Sequence, residues 1–484
     1  MTLRVSWRLL SSHPSTWLIS REDETVVEPN LDFVSASEMP TTSRRSRLLS
    51  RRTFIAAGGA GALGAAGFGI ASWGTSDVEA HLAAHKAAPS SSAGASDGPV
   101  FVLLTLYGGN DGLNTVVPYE DPDYESARGP MALDASTVLP LADGFGLHPS
   151  MTGFQKLFKA NSLAIVQGVG YPDPNLSHFE SMDIWQSAMT DGAQNSGWIG
   201  RWLDATGTDP LRAASIGPTL PLALMGAKVQ GAAVPPPPLV LPGYRAQQLA
   251  YTAMEVTGHG QAGLSADVAR SGADMLRVQR TLAPVLDSKS GSTSQDVDGA
   301  GATSLEGTTE GALAITQGGG GLSTSSVLAQ QLDLVSTMIK AGVPTKVYAV
   351  SFGGFDTHTN ETATQNTLLA ELDQAVSSFL GQMADAPHGR PVVMLIHTEF
   401  GRRVQGNSSG GTDHGTANIV FVGGSTVKGG LYGDAPSLTT LDDYGNLVFT
   451  TDFRSVYATV FADVIGVDPK SFLDGPYATL PLLT

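Results

Sequence analysis

Carboxylates and imidazoles recur in this chain inside glycine-framed polar runs, a pairing that suits divalent-metal chemistry. Gly353-Gly354-Phe355-Asp356-Thr357-His358 sets an Asp and a His two positions apart, close enough to project to one side. Such a pair can ligate zinc, manganese or iron, or simply hydrogen-bond within a turn. Gly410-Gly411-Thr412-Asp413-His414-Gly415-Thr416 repeats the combination. In Tyr107-Gly108-Gly109-Asn110-Asp111-Gly112 the glycines permit close backbone approach around Asp111, although Asn-Asp-Gly is also ordinary turn chemistry. Glu399-Phe400-Gly401-Arg402-Arg403 puts a carboxylate beside arginines. It could hold a metal together with a phosphate or sulfate, or form a surface ion pair worth little. Ser177, within the polar run Tyr171–Glu180, precedes an expected helix. It is either an N-cap or a nucleophile placed where free N–H groups and the helix dipole favour an anion. His148 at a helix start and His397 inside a strand read as structural.

These runs need elements to present them. VFVLLTL from Val100 is a continuous aliphatic run of the kind a fully buried strand carries. SLAIVQG (162–168), TKVYAVS (345–351), VVMLIHT (392–398) and NIVFV (418–422) have the same texture. Helix-length segments alternate with them: Ser150–Phe158, the stripe Leu368, Leu369, Leu372, Val376, Phe379, Leu380 and Met383, and Ser455–Ile465. The alternation predicts an α/β fold, a doubly wound and mostly parallel sheet flanked by helices. Ligands in such sheets bind beyond the carboxyl ends of the strands, and the polar runs fall there. Together they point to one convergent acidic and histidine site.

Composition narrows the field. The 484 residues include no cysteine, which excludes disulfides, thiolate metal sites and a cysteine nucleophile. The net charge is −17, and an acidic surface repels phosphate backbones and anionic headgroups, so nucleic acid is excluded as a partner. Ser50-Arg51-Arg52-Thr53-Phe54-Ile55, followed by a Gly/Ala-rich apolar stretch to Trp73, reads as a twin-arginine export signal. The stretch is short of the Leu, Ile and Phe of a stop-transfer helix, so cleavage after Ala80 and no stable membrane anchor are expected. An uncleaved N-terminal anchor is the alternative. The basic cluster follows Met39 closely, which points to Met39 as the true start. Residues 1–80 are therefore extension and signal, 81–99 a linker, and 100–484 the folded domain. Pro235–Pro238 reads as a stiff surface connection and the Ser/Thr/Gly-rich 288–326 as a flexible insertion. The expected destination is periplasmic, cell-surface or extracellular, with the Tat translocase as partner during export.

As an ordered set, YGGNDGLN (107–114), YPDPNLSHF (171–179), GGFDTH (353–358), TEFGR (398–402) and DHG (413–415) resemble the signatures of domain-of-unknown-function family 1501. That family is commonly exported by the twin-arginine route and is similar to the alkaline phosphatase and sulfatase superfamily. The resemblance implies a metal-dependent hydrolase of phosphate or sulfate esters, acting on a small anionic ester with zinc, manganese or calcium. It implies Asp111 as a metal ligand after the first strand, Ser177 as nucleophile, and Asp356, His358 and His414 as ligands of one metal. Glu399 stands where the phosphatases have the Asp of an Asp-His pair, and Arg402 would neutralise the ester's charge. Phe400 replaces the His of that pair, one residue separates Asp356 from His358 where three are usual, and the sulfatase cysteine is missing. These departures leave open a one-metal hydrolase or a catalytically degenerate extracytoplasmic binding protein that keeps the fold.

Overall fold

The computed structural model describes residues 98–191, 194–235, 264–287 and 326–484. The twin-arginine segment, almost all of the linker, most of the proline run and nearly the whole insertion lie outside the described residues.

Among the described residues there are fourteen strands. The first is β1 (Val100–Leu106), followed by β2 (Val116–Val117), β3 (Leu139–Pro140), β4 (Gly146–Leu147), β5 (Leu163–Gly170), β6 (Ala213–Ile216) and β7 (Ala232–Val234). Then come β8 (Val347–Phe352), β9 (Val392–Thr398), β10 (Arg402–Gly406), β11 (Thr412–His414), β12 (Asn418–Gly424), β13 (Gly430–Tyr432) and β14 (Thr451–Asp452). Nine of them form the main sheet in the order β13-β5-β12-β9-β1-β8-β6-β7, with β14 also against β5. All its pairings are parallel except those of β12 with β5 and β9. A parallel return normally needs a crossover of a dozen or more residues, usually a helix. Between β9 and β12 the chain instead turns through the β10/β11 hairpin and comes back antiparallel.

The helices lie on both faces. They are α1 (Gly112–Thr115), α2 (Tyr124–Arg128), α3 (Thr152–Lys159), α4 (His178–Ser187), α5 (Trp198–Thr206), α6 (Leu264–Asp287), α7 (Val327–Lys340), α8 (Glu361–Met383) and α9 (Phe453–Thr459). β1 is buried along its whole length because both of its faces are covered. Val100, Val102, Leu104 and Leu106 pack into one core with Phe154 of α3, Val335 of α7 and Val376 of α8. Phe101 and Leu103 point the other way, into a core with Trp198 of α5 and Tyr457 of α9. Trp198 stacks on Tyr457 at 4.1 Å and meets the edge of Phe101 at 5.9 Å. Among the described residues no helix is long and apolar enough to cross a membrane.

Register brings the polar runs together. Leu106 is level with Phe352 of β8 and with Thr398 of β9, so three loops leave the sheet side by side. Asn418 is level with Val169, so β12 begins where β5 ends, at that same edge. Five loops, from β1, β5, β8, β9 and the β11–β12 junction, therefore converge.

α8 starts earlier than its apolar stripe. The stripe continues N-terminally through buried Gln365 and Glu361 at four-residue spacing, so polar side chains occupy the inward face nearest the site. α5 approaches the segment after Leu224 so closely that a Cβ on Gly200 would lie 2.0 Å from the Met225 carbonyl oxygen. Gly381, inside α8, has open space around it. Gly200→Ala is expected to lower stability by roughly 1–3 kcal/mol through overpacking, and Gly381→Ala to raise it by up to about 1 kcal/mol. Thermal unfolding of both variants checks the pair; equal and opposite-to-expected shifts would contradict this packing.

Candidate metal centre

α4 begins one residue after Ser177, and its first residue, His178, faces the loop that follows β8. The ligand-capable atoms of His178, Asp356 and His414 all lie within 4.8 Å of one another. Asp356 Oδ1 is the centre of the group. It lies 3.5 Å from His178 Nε2, 3.4 Å from His414 Nε2 and 3.1 Å from His358 Nε2. Ligands about 2.0–2.1 Å from a tetrahedral zinc sit roughly 3.3–3.4 Å apart, so these separations match a shared ion.

The outer ring of contacts orients the imidazoles. His178 Nδ1 donates to Glu399 Oε1 at 2.7 Å, His414 Nδ1 to the Leu176 carbonyl at 2.8 Å, and His358 Nδ1 to Asp413 Oδ1 at 3.3 Å. Each acceptor fixes the proton on Nδ1 and leaves the Nε2 lone pair facing inward, which is how metal-ligating histidines are held. Two of those lone pairs, on His358 and His414, lie only 2.9 Å apart. His178 Nε2 is buried and has no hydrogen-bond partner. Opposed lone pairs and an orphaned buried nitrogen are what a cation between them would relieve. The donor set therefore fits a divalent metal.

Electrostatics agree with these contacts. Hydrogen bonding to Glu399 holds the His178 pKa above its ordinary value, against burial. Burial pushes His414 down. Burial raises Asp356 and Glu399, but both end below their ordinary values: Arg402 and the histidines outweigh it at Asp356, and the hydrogen bonds from His178 and backbone N–H groups do so at Glu399. Phe400 is buried and packs its ring 4.8 Å from both His178 and His414.

The residues singled out from the sequence thus take different places. Asp356, His358 and His414 come together. Glu399 stands behind His178, also accepting from Gly108 N at 2.9 Å and Thr398 Oγ1 at 2.8 Å. Ser177 is exposed next to the cluster; it is the N-cap of α4 by position, but its hydroxyl makes no cap hydrogen bond. Arg402 is wholly buried rather than open to an anion. Its guanidinium donates to the carbonyls of Gly108, Gly109 (2.7 Å), Phe355 (3.0 Å) and Thr412 (2.8 Å), and to Asp356 Oδ1 (2.8 Å). Asp111 lies outside the His178–Asp356–His414 group and is ion-paired with buried Arg128 while capping Leu113 N at 3.2 Å. His178, next to Ser177 in the same run, joins Asp356 and His414 although the sequence pattern does not single it out. His397 is a core residue, stacked on Trp185 at 4.9 Å with burial pushing its pKa down to about 4. His148 is buried and accepts from Ser150 N at 3.1 Å.

The chain belongs to the DUF1501 family, described as protein of unknown function, whose profile matches residues 100–474. Among solved structures it is similar to the C-terminal periplasmic domain of EcEptC from Escherichia coli in complex with zinc. There the identity is 10%, the coverage 68% of this chain and 73% of that one, and the TM-score 0.32. A 2-O GAG sulfatase shares 10% identity over 69% of this chain and 66% of its own, with TM-score 0.27. A putative sulfatase from Bacteroides thetaiotaomicron shares 8% over the same proportions, with TM-score 0.26. No curated protein sequence matches the chain.

Beside the cluster, Glu361 is fully buried and its Oε2 accepts from the Thr412 hydroxyl. Burial, then the charge and hydrogen bond of Asp111, push its pKa from 4.5 up to about 9, against the opposing pull of Thr412 and Arg128. A folded-state pKa raised in this way gives stability that is complete below the ordinary value and is lost as pH rises through the folded one. The melting temperature of the wild type relative to Glu361→Gln is therefore expected to fall between pH 4.5 and about 9. A difference that stays constant across that window would contradict it.

Proposed function

We propose that the protein is an exported, metal-dependent hydrolase of phosphate or sulfate esters, with His178, Asp356 and His414 as ligands and His358 beside them. The observation that carries the metal is the set of Nδ1-anchored imidazoles turned toward one carboxylate oxygen. Imidazole-rich donors suit zinc or manganese better than calcium, a hard cation that takes oxygen ligands. Bound there, such a metal would polarise an ester oxygen and favour an ionised nucleophile.

Ser177 supplies the nucleophile in this reading. Its hydroxyl is exposed, free of the helix cap, and one residue from a ligand, while Asn175 Oδ1 accepts from its backbone N at 2.8 Å and holds the turn. Its oxygen, the proton lost to solvent, would attack phosphorus or sulfur in line while the ester oxygen leaves on the opposite side and takes a proton from water; a second water would then cleave the seryl ester, releasing phosphate or sulfate and restoring the hydroxyl. Arg402 holds Asp356 in place and draws the loops together. The same full engagement of Arg402 favours the second reading, a binding protein without turnover, because it leaves a bound ester's charge to the metal alone.

Export rests on the Arg51-Arg52 signal, cleavage after Ala80 and passage through the Tat translocase, which carries folded proteins. A route for folded cargo suits a sheet whose site is assembled from five separated loops. The hydrolase reading is tested with 4-nitrophenyl phosphate and 4-nitrophenyl sulfate. Asp356→Ala is expected to abolish turnover and Ser177→Ala to lower kcat by about 10²-fold or more. Rates unchanged in both variants would overturn it.

A further inference from the structure

An exposed aromatic beside a metal cluster needs an explanation. Phe179 directly follows His178 and is 83% exposed. One helical turn on, Asp183 is exposed on the same side of α4, and its carboxylate makes no hydrogen bond among the described residues. A further turn on, Gln186 donates from Nε2 to the Tyr107 hydroxyl at 3.2 Å, which holds that ring against this face. Gln186 is itself fixed, its Oε1 accepting from Ala223 N at 3.3 Å. The negative charge of Asp183 reaches Tyr107, contributing to the rise in its pKa, to which burial contributes most. An exposed ring and an unpaired carboxylate thus lie along one edge of the helix that begins with His178, and Tyr107 is bonded to that edge through Gln186.

Aromatic faces with a carboxylate attract cations, ammonium groups above all. The overall charge points the same way. A chain of net charge −17 penalises a purely anionic ester on approach, and an ammonium group on the same ester lessens that penalty. We propose that Phe179, Asp183 and Tyr107 form a subsite for the cationic end of a zwitterionic ester, an ammonium group carried on a short linker from the phosphate or sulfate. The inference rests on the reading of the cluster as an ester site and adds the substrate class. Phe179 and Asp183 follow His178 by one and five residues, about 1.5 and 7.5 Å along the axis of α4, which is the scale of a short linker.

The test uses 3-(trimethylammonio)propylphosphonate and its uncharged-tail isostere 4,4-dimethylpentylphosphonate, whose P–C bonds resist hydrolysis. Calorimetric titration of zinc-loaded full-length protein is expected to give about tenfold tighter binding of the ammonium compound. Phe179→Ala and Asp183→Asn, both at exposed positions, are each expected to bring the ratio toward one. Equal affinities in the wild type would overturn the subsite and leave the ester reading standing. A preference that survives both substitutions would overturn the assignment to these residues. Failure to bind either phosphonate would overturn the subsite and the ester reading together.

Discussion

One buried guanidinium holds the candidate site together. Arg402 reaches back from the strand after β9 to the carbonyls of Gly108 and Gly109 behind β1, Phe355 behind β8 and Thr412 of the hairpin. A buried charge without partners costs several kcal/mol, and Arg402 avoids that by drawing backbone oxygens from three other segments around itself. Gly108 makes the approach possible: at φ +117° it brings the two loops so close that a Cβ would sit 2.3 Å from Asp356 N. Asp356 is then held from two directions, by its backbone through this contact and by its carboxylate through Arg402.

The histidines depend on that carboxylate, and each is braced separately. Glu399, the Leu176 carbonyl and Asp413 hold the three Nδ1 protons, while Phe400 fills the space beside His178 and His414. Glu399 is fixed in turn by Gly108 N, and its carbonyl accepts from Ser181 Oγ of α4 at 2.6 Å. The network closes on itself: the loop that Arg402 pins also positions the carboxylate behind His178.

Much of this was legible in the sequence for physical reasons. A central strand covered on both faces must be apolar throughout, which makes β1 and β9 legible, and the rule of ligands at carboxyl ends gathers loops that the register does bring side by side. The same rule does not foresee β12, which joins the site by its start because the β10/β11 hairpin replaces a crossover. Glu361 and Gln365 hid the first turns of α8, since a buried polar face looks like a solvent face in a hydrophobic pattern. Residue type alone suggests an anion binder at Arg402, because it does not reveal the burial that spends its donors on carbonyls. His178 does not stand out beside Ser177, because one helix start offers both a candidate ligand and a candidate nucleophile.

The central claim is that His178, Asp356 and His414 hold one metal, with the His358 imidazole beside them. X-ray absorption at the metal edge, on protein purified after native export, tests it most directly. The account predicts one metal per chain, a first shell of nitrogen and oxygen only, at about 2.0–2.1 Å for zinc, and outer-shell scattering from at least two imidazoles. A metal-free protein, or a shell built from oxygen alone, would contradict it.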